Sequence, residues 1–276
     1  MLDDYFQHQA DLSDMECNLR CPNDCSAPGC WMDDVIVEVT LFDLIKLSRA
    51  LTTRVSLLFS QYCRLGLITC EDNIRYKRLA IKMKKPCLFL SGNRCIVHDS
   101  KPLSCILFPE IYQIKGLLPK LSQKPIFNPF PCLKKPIAIS ENRNNALKKL
   151  RRMSMQEQAL SHDYLFGIPS FIVCAKPFKK KLRRIHPKKK LFSLKDYDNI
   201  LNKTLKAFGF FESVFEKISR LDTMPGMKHI IEKLNDRVMM THLMEKMVQP
   251  GIVHKLERRH FKKLKRSLLS PAIYFM

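Results

Sequence analysis

The sequence predicts an α+β protein in two parts: a small cysteine-rich part over residues 1–138 and a mostly α-helical, basic part over 139–276. Three observations carry this. Up to about residue 110, short segments with strand periodicity alternate with short helical ones. Prolines 119, 125, 129, 131 and 136 then make 116–138 an extended, irregular connection. From Ser140 on, long segments with helical apolar spacing take over, and no standard repeat period runs through the chain.

The elements follow in order. "VIVEV" (35–39) reads as a short strand. Thr40 opens "TLFDLIKLSRAL" with Asp43 three residues on, a capping box with Asp in place of Glu, and Leu41, Leu44, Ile45 and Leu51 form its apolar stripe. A second helix over "TRVSLLFSQYCRLG" is expected to end at Gly66 as its C′ residue. "RYKRLAIKMK" places Leu79, Ile81 and Met83 at period two, a half-buried strand. "CLFL" and "CIVH" flank "SGNR" as a hairpin, and Pro102 starts a short helix holding Cys105. In the second part "SENRNNALKKLRRMSMQEQAL" begins on a serine cap, and "SLKDYDNILNKTLKAFGFFESVFEKISRL" begins on the pair Ser193 and Asp196. "GMKHIIEKLNDRVMMTHLMEKMV" and "GIVHKLERRHFKKLKRSLL" complete the helices, with the basic run "KPFKKKLRRIHPKKK" (176–190) between them and 140–170 as a solvated linker or charged patch.

Composition narrows the function. An apolar fraction of 46% is enough for a packed core. With 8 glycines and no G-x-G-x-x-G or G-x-x-x-x-G-K-[ST] string, a glycine-rich nucleotide fold is not expected. The start, "MLDDYFQHQADLSDMEC", is acidic and lacks the basic and apolar regions of a secretory signal. No window approaches the roughly 18 apolar residues of a membrane span, so the expected location is the cytoplasm. In a reducing compartment clustered cysteines mean metal or reactive thiols rather than disulfides, and the odd count of 11 fits poorly with a complete disulfide framework. The net charge of +22 implies attraction to polyanions: nucleic acid, anionic lipid or an acidic protein face. Salt-sensitive, sequence-independent polyanion binding is expected through 176–190 and through the last basic helix, chiefly 253–266. No serine elbow, H-E-x-x-H or zinc-deaminase signature is present, and the spread of cysteines does not single out one nucleophile beside a histidine.

"CNLRCPNDCSAPGC" packs Cys17, Cys21, Cys25 and Cys30 into one short run, with Pro22, Pro28 and Gly29 to turn the backbone. Surrounded by Asn, Asp, Pro, Ser and Gly rather than by core residues, these are the expected pattern of metal-ligating thiolates. Cys63, Cys70 and Cys174 lie in or beside apolar segments and read as small buried hydrophobes. His98, alone at a strand end, reads as solvent-facing or core-satisfied.

"PCLFLSGNRCIVHDSKPLSCILFP" resembles the hallmark of the YkgJ-type zinc- or iron-chelating cysteine-cluster family, with Cys87, Phe89, Leu90, Cys95, Pro102, Cys105, Phe108 and Pro109 on its pattern. "VEVTLFDLIKLSRAL" is similar to the strand and helix start that follow the family's upstream cysteine group. The resemblance covers about residues 15–135. It implies that Cys132, in "NPFPCLKKP", is the family's final cysteine, and that Cys17, Cys21, Cys25, Cys30, Cys87, Cys95, Cys105 and Cys132 form the ligand set. Eight thiolates hold two zinc ions, or one [4Fe–4S] cluster with a second site, and all-sulfur ligation permits either metal. Lys101 and Ile106 stand where the family carries arginines, which leaves the metal set intact but removes their bidentate guanidinium groups. Some relatives look like iron–sulfur-dependent protein-lysine methylases, so an enzyme is the alternative that the resemblance implies.

Overall fold

The computed structural model describes residues 2–17, 25–33, 35–70, 73–116, 123, 127–134, 138–167, 171–189, 191–207, 210–248 and 273–275. Its elements are α1 (Leu2–Asp14), α2 (Pro28–Trp31), β1 (Glu38–Val39), α3 (Leu41–Ala50), α4 (Val55–Tyr62), β2 (Cys63–Cys70), β3 (Asn73–Met83), β4 (Leu90–Ser91) and β5 (Arg94–Cys95). Then come α5 (Leu103–Leu107), α6 (Glu110–Ile114), α7 (Glu141–Phe166), β6 (Phe171–Cys174), α8 (Ala175–Ile185), α9 (Leu194–Ala207), α10 (Phe210–Ser219), α11 (Met224–Asn235), α12 (Arg237–Val248) and β7 (Ile273–Phe275). Helices with a small antiparallel sheet make this an α+β chain. In the sheet β3 pairs with β1, β2 and β6, and β6 pairs with β7, while β4 and β5 form a separate hairpin. No helix of the described residues is long and apolar enough to cross a membrane.

Contacts gather the chain into two units, Met1–Cys63 with Lys82–Glu157, and Arg64–Ile81 with Gln158–Met276. In the first, α3 starts on the expected capping box: the Asp43 amide donates to Thr40 Oγ1 at 3.1 Å and the Thr40 amide to Asp43 Oδ2 at 2.9 Å. Leu41, Phe42, Leu44, Ile45 and Leu47 are all buried, so α3 is covered nearly all round. A second cluster joins Leu12 of α1, Leu103, Ile106 and Leu107 of α5, and Ala146, Leu147 and Leu150 of α7. Full burial of a leucine or isoleucine contributes about 1.5–3 kcal/mol, so this cluster is what anchors the five-residue α5.

A buried ion pair fastens the same region. Arg143 Nε donates to Glu110 Oε1 at 2.9 Å, and Nη2 donates to Oε2. Its Nη1 donates to the carbonyl oxygens of Ser13 at 2.6 Å, Leu12 at 3.2 Å and Met15 at 3.3 Å. These oxygens lie at the end of α1, where helical carbonyls lose their intrahelical partners, and the guanidinium fork supplies replacements.

In the second unit the Leu67 amide donates to the buried Asp198 Oδ1 at 2.6 Å, tying β2 to α9. Phe178 and Leu182 of α8 and Tyr197, Ile200 and Leu201 of α9 are buried, and the two helices pack together. Phe166 and Phe210 stack with ring centroids 5.8 Å apart. Thr223 caps α11, accepting from the Gly226 amide at 3.3 Å.

Four local expectations need correction. The helix expected to end at Gly66 ends at Tyr62, and Gly66 lies in β2. Leu65 and Leu67, buried at period two and paired through β2 to β3, override the local glycine signal. The segments expected as single helices over 193–221 and 226–248 are each divided, into α9 and α10 and into α11 and α12. At the second break Asp236 Oδ1 accepts from the Met239 amide at 3.0 Å, capping a new helix in place of continuing the old one. The basic run is no linker: 175–185 is helix α8. "FIVC" (171–174) is a strand in antiparallel register with β3, Lys77 opposite Val173. The last expected helix, 251–269, lies outside the described residues.

Candidate metal centre

Four of the sequence-predicted cysteines, Cys30, Cys87, Cys95 and Cys105, are electrostatic neighbours of one another in pairs. Cys30 sits on the one-turn helix α2, which starts after Ala27 in the left-handed region at φ 49°. The Cys30 amide donates to Ala27 O at 2.8 Å, and the Trp31 indole donates to Ser26 O at 2.9 Å, which closes this turn. The Cys87 amide then donates to Cys30 O at 2.7 Å, and Lys85 Nζ donates to Gly29 O. These two bonds lay the segment before the hairpin along the α2 turn.

The hairpin carries the next two thiols. Phe89 is buried and stacks on Tyr62 with centroids 4.5 Å apart and planes 9° from parallel, which anchors the β4 side. Gly92 turns the loop at φ 58°, a conformation that costs a side-chain-bearing residue more. The Phe89 amide donates to the Cys87 sulfur, and the Val97 amide donates to the Cys95 sulfur. Each is an N–H from two residues further on, folded back onto the preceding cysteine.

Cys105 rides on α5, whose start is held from the core. The Leu103 amide donates to Asp43 Oδ1 at 2.8 Å, and Ser104 Oγ donates to Glu38 O at 2.6 Å. Asp43 therefore caps both α3 and α5 and fixes where Cys105 stands.

The electrostatics couple these thiols. Cys30 donates its S–H to Cys87, which holds the Cys87 thiol down at about 6, with the Phe89 amide and Lys85 also favouring the thiolate against the cost of burial. Cys30 is pushed up, by that same bond first and then by burial and by the Cys87 and Cys105 sulfurs. Burial pushes the Cys105 thiol up to about 12, with Cys87 and Cys95 adding to it and Lys85 opposing. Burial likewise raises Cys95. The Lys85 ammonium is lowered by burial, while Cys30, Cys105, Cys87 and Asp33 pull it back up. A lysine beside three of the thiols had no signal in the sequence beyond its position two residues before Cys87.

The other predicted ligands are placed differently. Cys132 is half-buried on a 3-10 turn, Pro131–Leu133. The preceding Phe130 is fully buried against Phe108 and Phe127, and its ring edge lies 3.6 Å from where a Cβ on Gly29 would stand. Cys132 thus lies on a segment packed beside the α2 turn. Cys25 is half-buried, and Cys17 is exposed after α1 with Arg143 as an electrostatic neighbour. Cys21 lies outside the described residues. Cys63 is buried at the start of β2, its thiol pushed up by burial, and His98 is exposed. Among the described residues no three or more His, Cys, Asp or Glu side chains stand close enough together to hold a metal ion as they are.

A second cluster of titratable groups sits in the core of the same unit. Glu157 is fully buried and accepts from Tyr5 Oη at 2.7 Å and from Gln9 Nε2. Thr40 Oγ1 lies 2.7 Å from Glu157 Oε2 and 3.0 Å from Asp43 Oδ2, and it accepts from the Asp43 amide. Lys46 Nζ donates to Gln9 Oε1 at 3.2 Å. A hydroxyl has one proton and two lone pairs, so Thr40 serves all three partners only if one of the two carboxyls, Glu157 or Asp43, is protonated and donates to it. Burial, then the Asp43 charge, pushes Glu157 up to about 8, in keeping with that count. Burial raises Asp43 as well, but the Thr40 and Leu103 amides favour its charged form. With Gln9, Thr40, Asp43 and Glu157 buried and Tyr5 and Lys46 half-buried at its edge, this network ties α1, α3 and α7 together.

No protein-family model, curated protein or solved structure matches the chain.

Proposed function

We propose that the chain is a metal-binding protein in which Cys30, Cys87, Cys95 and Cys105 supply one four-thiolate site, taking zinc or an iron–sulfur cluster. The observation that carries this reading is the pair of amides, from Phe89 and Val97, aimed at the sulfurs of Cys87 and Cys95. An N–H donated to sulfur favours the thiolate, which is the form that binds metal. Four soft sulfur ligands suit either metal. Lys85 offsets part of the negative charge that the thiolates bring.

The sulfurs must close up on the ion. The segments that carry them are a one-turn helix, a hairpin of two-residue strands and a five-residue helix, all short enough to shift without breaking a long ladder of hydrogen bonds. A bound zinc with four sulfurs leaves no open position, so it would hold these segments together, whereas an iron–sulfur cluster would add electron transfer. Cys132, beside the α2 turn, and Cys17, Cys21 and Cys25 would supply the second site of the eight-thiolate set.

Elemental analysis and visible absorption of untagged protein purified without oxygen test the reading. Near-stoichiometric zinc in a colourless protein, or iron with a broad visible band bleached on reduction, is the expected result. Protein holding neither metal overturns it.

A further inference from the structure

The helix α8, Ala175–Ile185, carries six cations and no acidic residue in eleven positions. Lys176, Lys179, Lys180, Lys181, Arg183 and Arg184 are all exposed, while Phe178 and Leu182 are buried against their own unit. At 3.6 residues per turn the six cations cover about 200° of the helix circumference. Lys176, Lys180 and Arg184 form one row four residues apart, and Lys179 and Arg183 a second, so charge repeats about every 6 Å along the axis. None of the six makes an ion pair with a described residue; the neighbouring Lys189 does, with Asp196 at 2.8 Å. Like charges four apart weaken a helix, a cost that a polyanion lying along this face removes.

We propose that this face of α8 binds the phosphate backbone of double-stranded nucleic acid without regard to sequence. The chemistry of the face selects among polyanions. Insertion into a lipid surface needs an exposed apolar face, whereas Phe178 and Leu182 are committed to packing and Ile185 alone is an exposed large apolar side chain of α8, too little for a face. Single strands are held by base stacking on exposed aromatic rings, and α8 exposes none. An acidic protein partner is gripped by buried aromatic or apolar anchors, which the cationic face also lacks. A dense, regular row of phosphates needs only matching cations, and a duplex offers one charge per about 1.7 Å of its axis.

The test measures fluorescence anisotropy of the full chain with a labelled random-sequence 20-base-pair duplex between about 50 and 200 mM salt. Binding should fall steeply with salt. Replacing Lys179, Lys180, Arg183 and Arg184 with alanine should lower the slope of log K against log salt by about three to four, since each phosphate contact contributes about 0.9. A control replaces Lys148, Lys149, Arg151 and Arg152, four exposed cations of α7, and should leave the slope nearly unchanged. Circular dichroism confirms that each variant keeps its helices, and a Lys→Gln, Arg→Gln version replaces any alanine variant that does not. The proposal is overturned if both sets lower the slope alike. It is equally overturned if the duplex does not bind, or if a single strand of the same length or phosphatidylserine vesicles bind as tightly as the duplex.

Discussion

The unit of Met1–Cys63 and Lys82–Glu157 and the unit of Arg64–Ile81 and Gln158–Met276 reach a folded state by different means. In the first, short segments are also fastened by polar and sulfur groups: Asp43 caps two helices, Arg143 closes the end of α1 while paired to Glu110, and the Cys30 thiol donates a hydrogen bond to Cys87. In the second, helices of ten to fourteen residues bury regular apolar faces, with Leu201, Val214, Ile218, Leu221, Ile230 and Ile231 nearly inaccessible. Short segments bury less apolar surface each, so directional bonds add to what the apolar clusters of this unit supply. Amphipathic helices rely on such bonds less.

The largest expected effect tests the metal site proposed for the first unit. Cys105→Ser should release metal and unfold that unit, because structural zinc sites contribute about 10–16 kcal/mol of binding energy to folding. Cys63→Ser should keep full metal content and cost about 1–3 kcal/mol for burying a hydroxyl. If Cys63→Ser loses metal while Cys105→Ser keeps it, the ligand assignment fails. Chelation should leave the second unit's helical signal in place.

Next in size is the buried ion pair. Arg143→Met should destabilise the first unit by about 3–5 kcal/mol in urea unfolding, since it strands the Glu110 carboxylate and the α1 carbonyls. Adding Glu110→Gln should recover part of that loss; an unchanged double variant would mean that the pair acts mainly through packing.

The buried carboxyl of Glu157 gives a pH signature. Its pKa rises from an ordinary 4.5 to about 8 on folding. Its stabilising contribution is therefore complete below pH 4.5 and is lost as pH rises through about 8, by at most about 1.4 kcal/mol per pH unit. Groups facing it are Tyr5 and Gln9 of α1, and Thr40, Asp43 and Lys46 around α3. Glu157→Gln keeps the neutral shape and should flatten the fall in unfolding free energy between pH 5 and 8. Equal slopes in the two proteins would assign the proton elsewhere.

The smallest effect belongs to the second unit. Asp198→Ala, which leaves the Leu67 amide without this acceptor, should cost about 1–3 kcal/mol and leave metal content untouched.

The contrast also explains what could be read in advance. Thr40 and Asp43 announce the start of α3 because capping is a local interaction, and the S-G-N-R turn is legible because Gly92 takes a positive φ there. Three of the four cysteines of the proposed site share one stretch of sequence. The partnership of Cys30 with Cys87 depends on a backbone contact across 57 positions, for which no local pattern exists. Helix α8 was hidden by its charge: only Phe178 and Leu182, four residues apart, mark its buried side, and Pro177 falls in the first turn where proline is tolerated. Gly66 misled for the opposite reason, a local stop signal overruled by strand pairing. Glu157 and Arg143 carry no sequence signature at all, since an ordinary charged residue on a long helix is expected at the surface.

The most direct test of the four-thiolate site is X-ray absorption at the metal edge of protein isolated without oxygen. The account predicts a first shell of four sulfurs at about 2.3 Å for zinc, or iron–sulfur and iron–iron shells for a cluster, and loss of that signal in Cys105→Ser. A first shell of nitrogen or oxygen, or a sulfur shell that survives in Cys105→Ser, contradicts it.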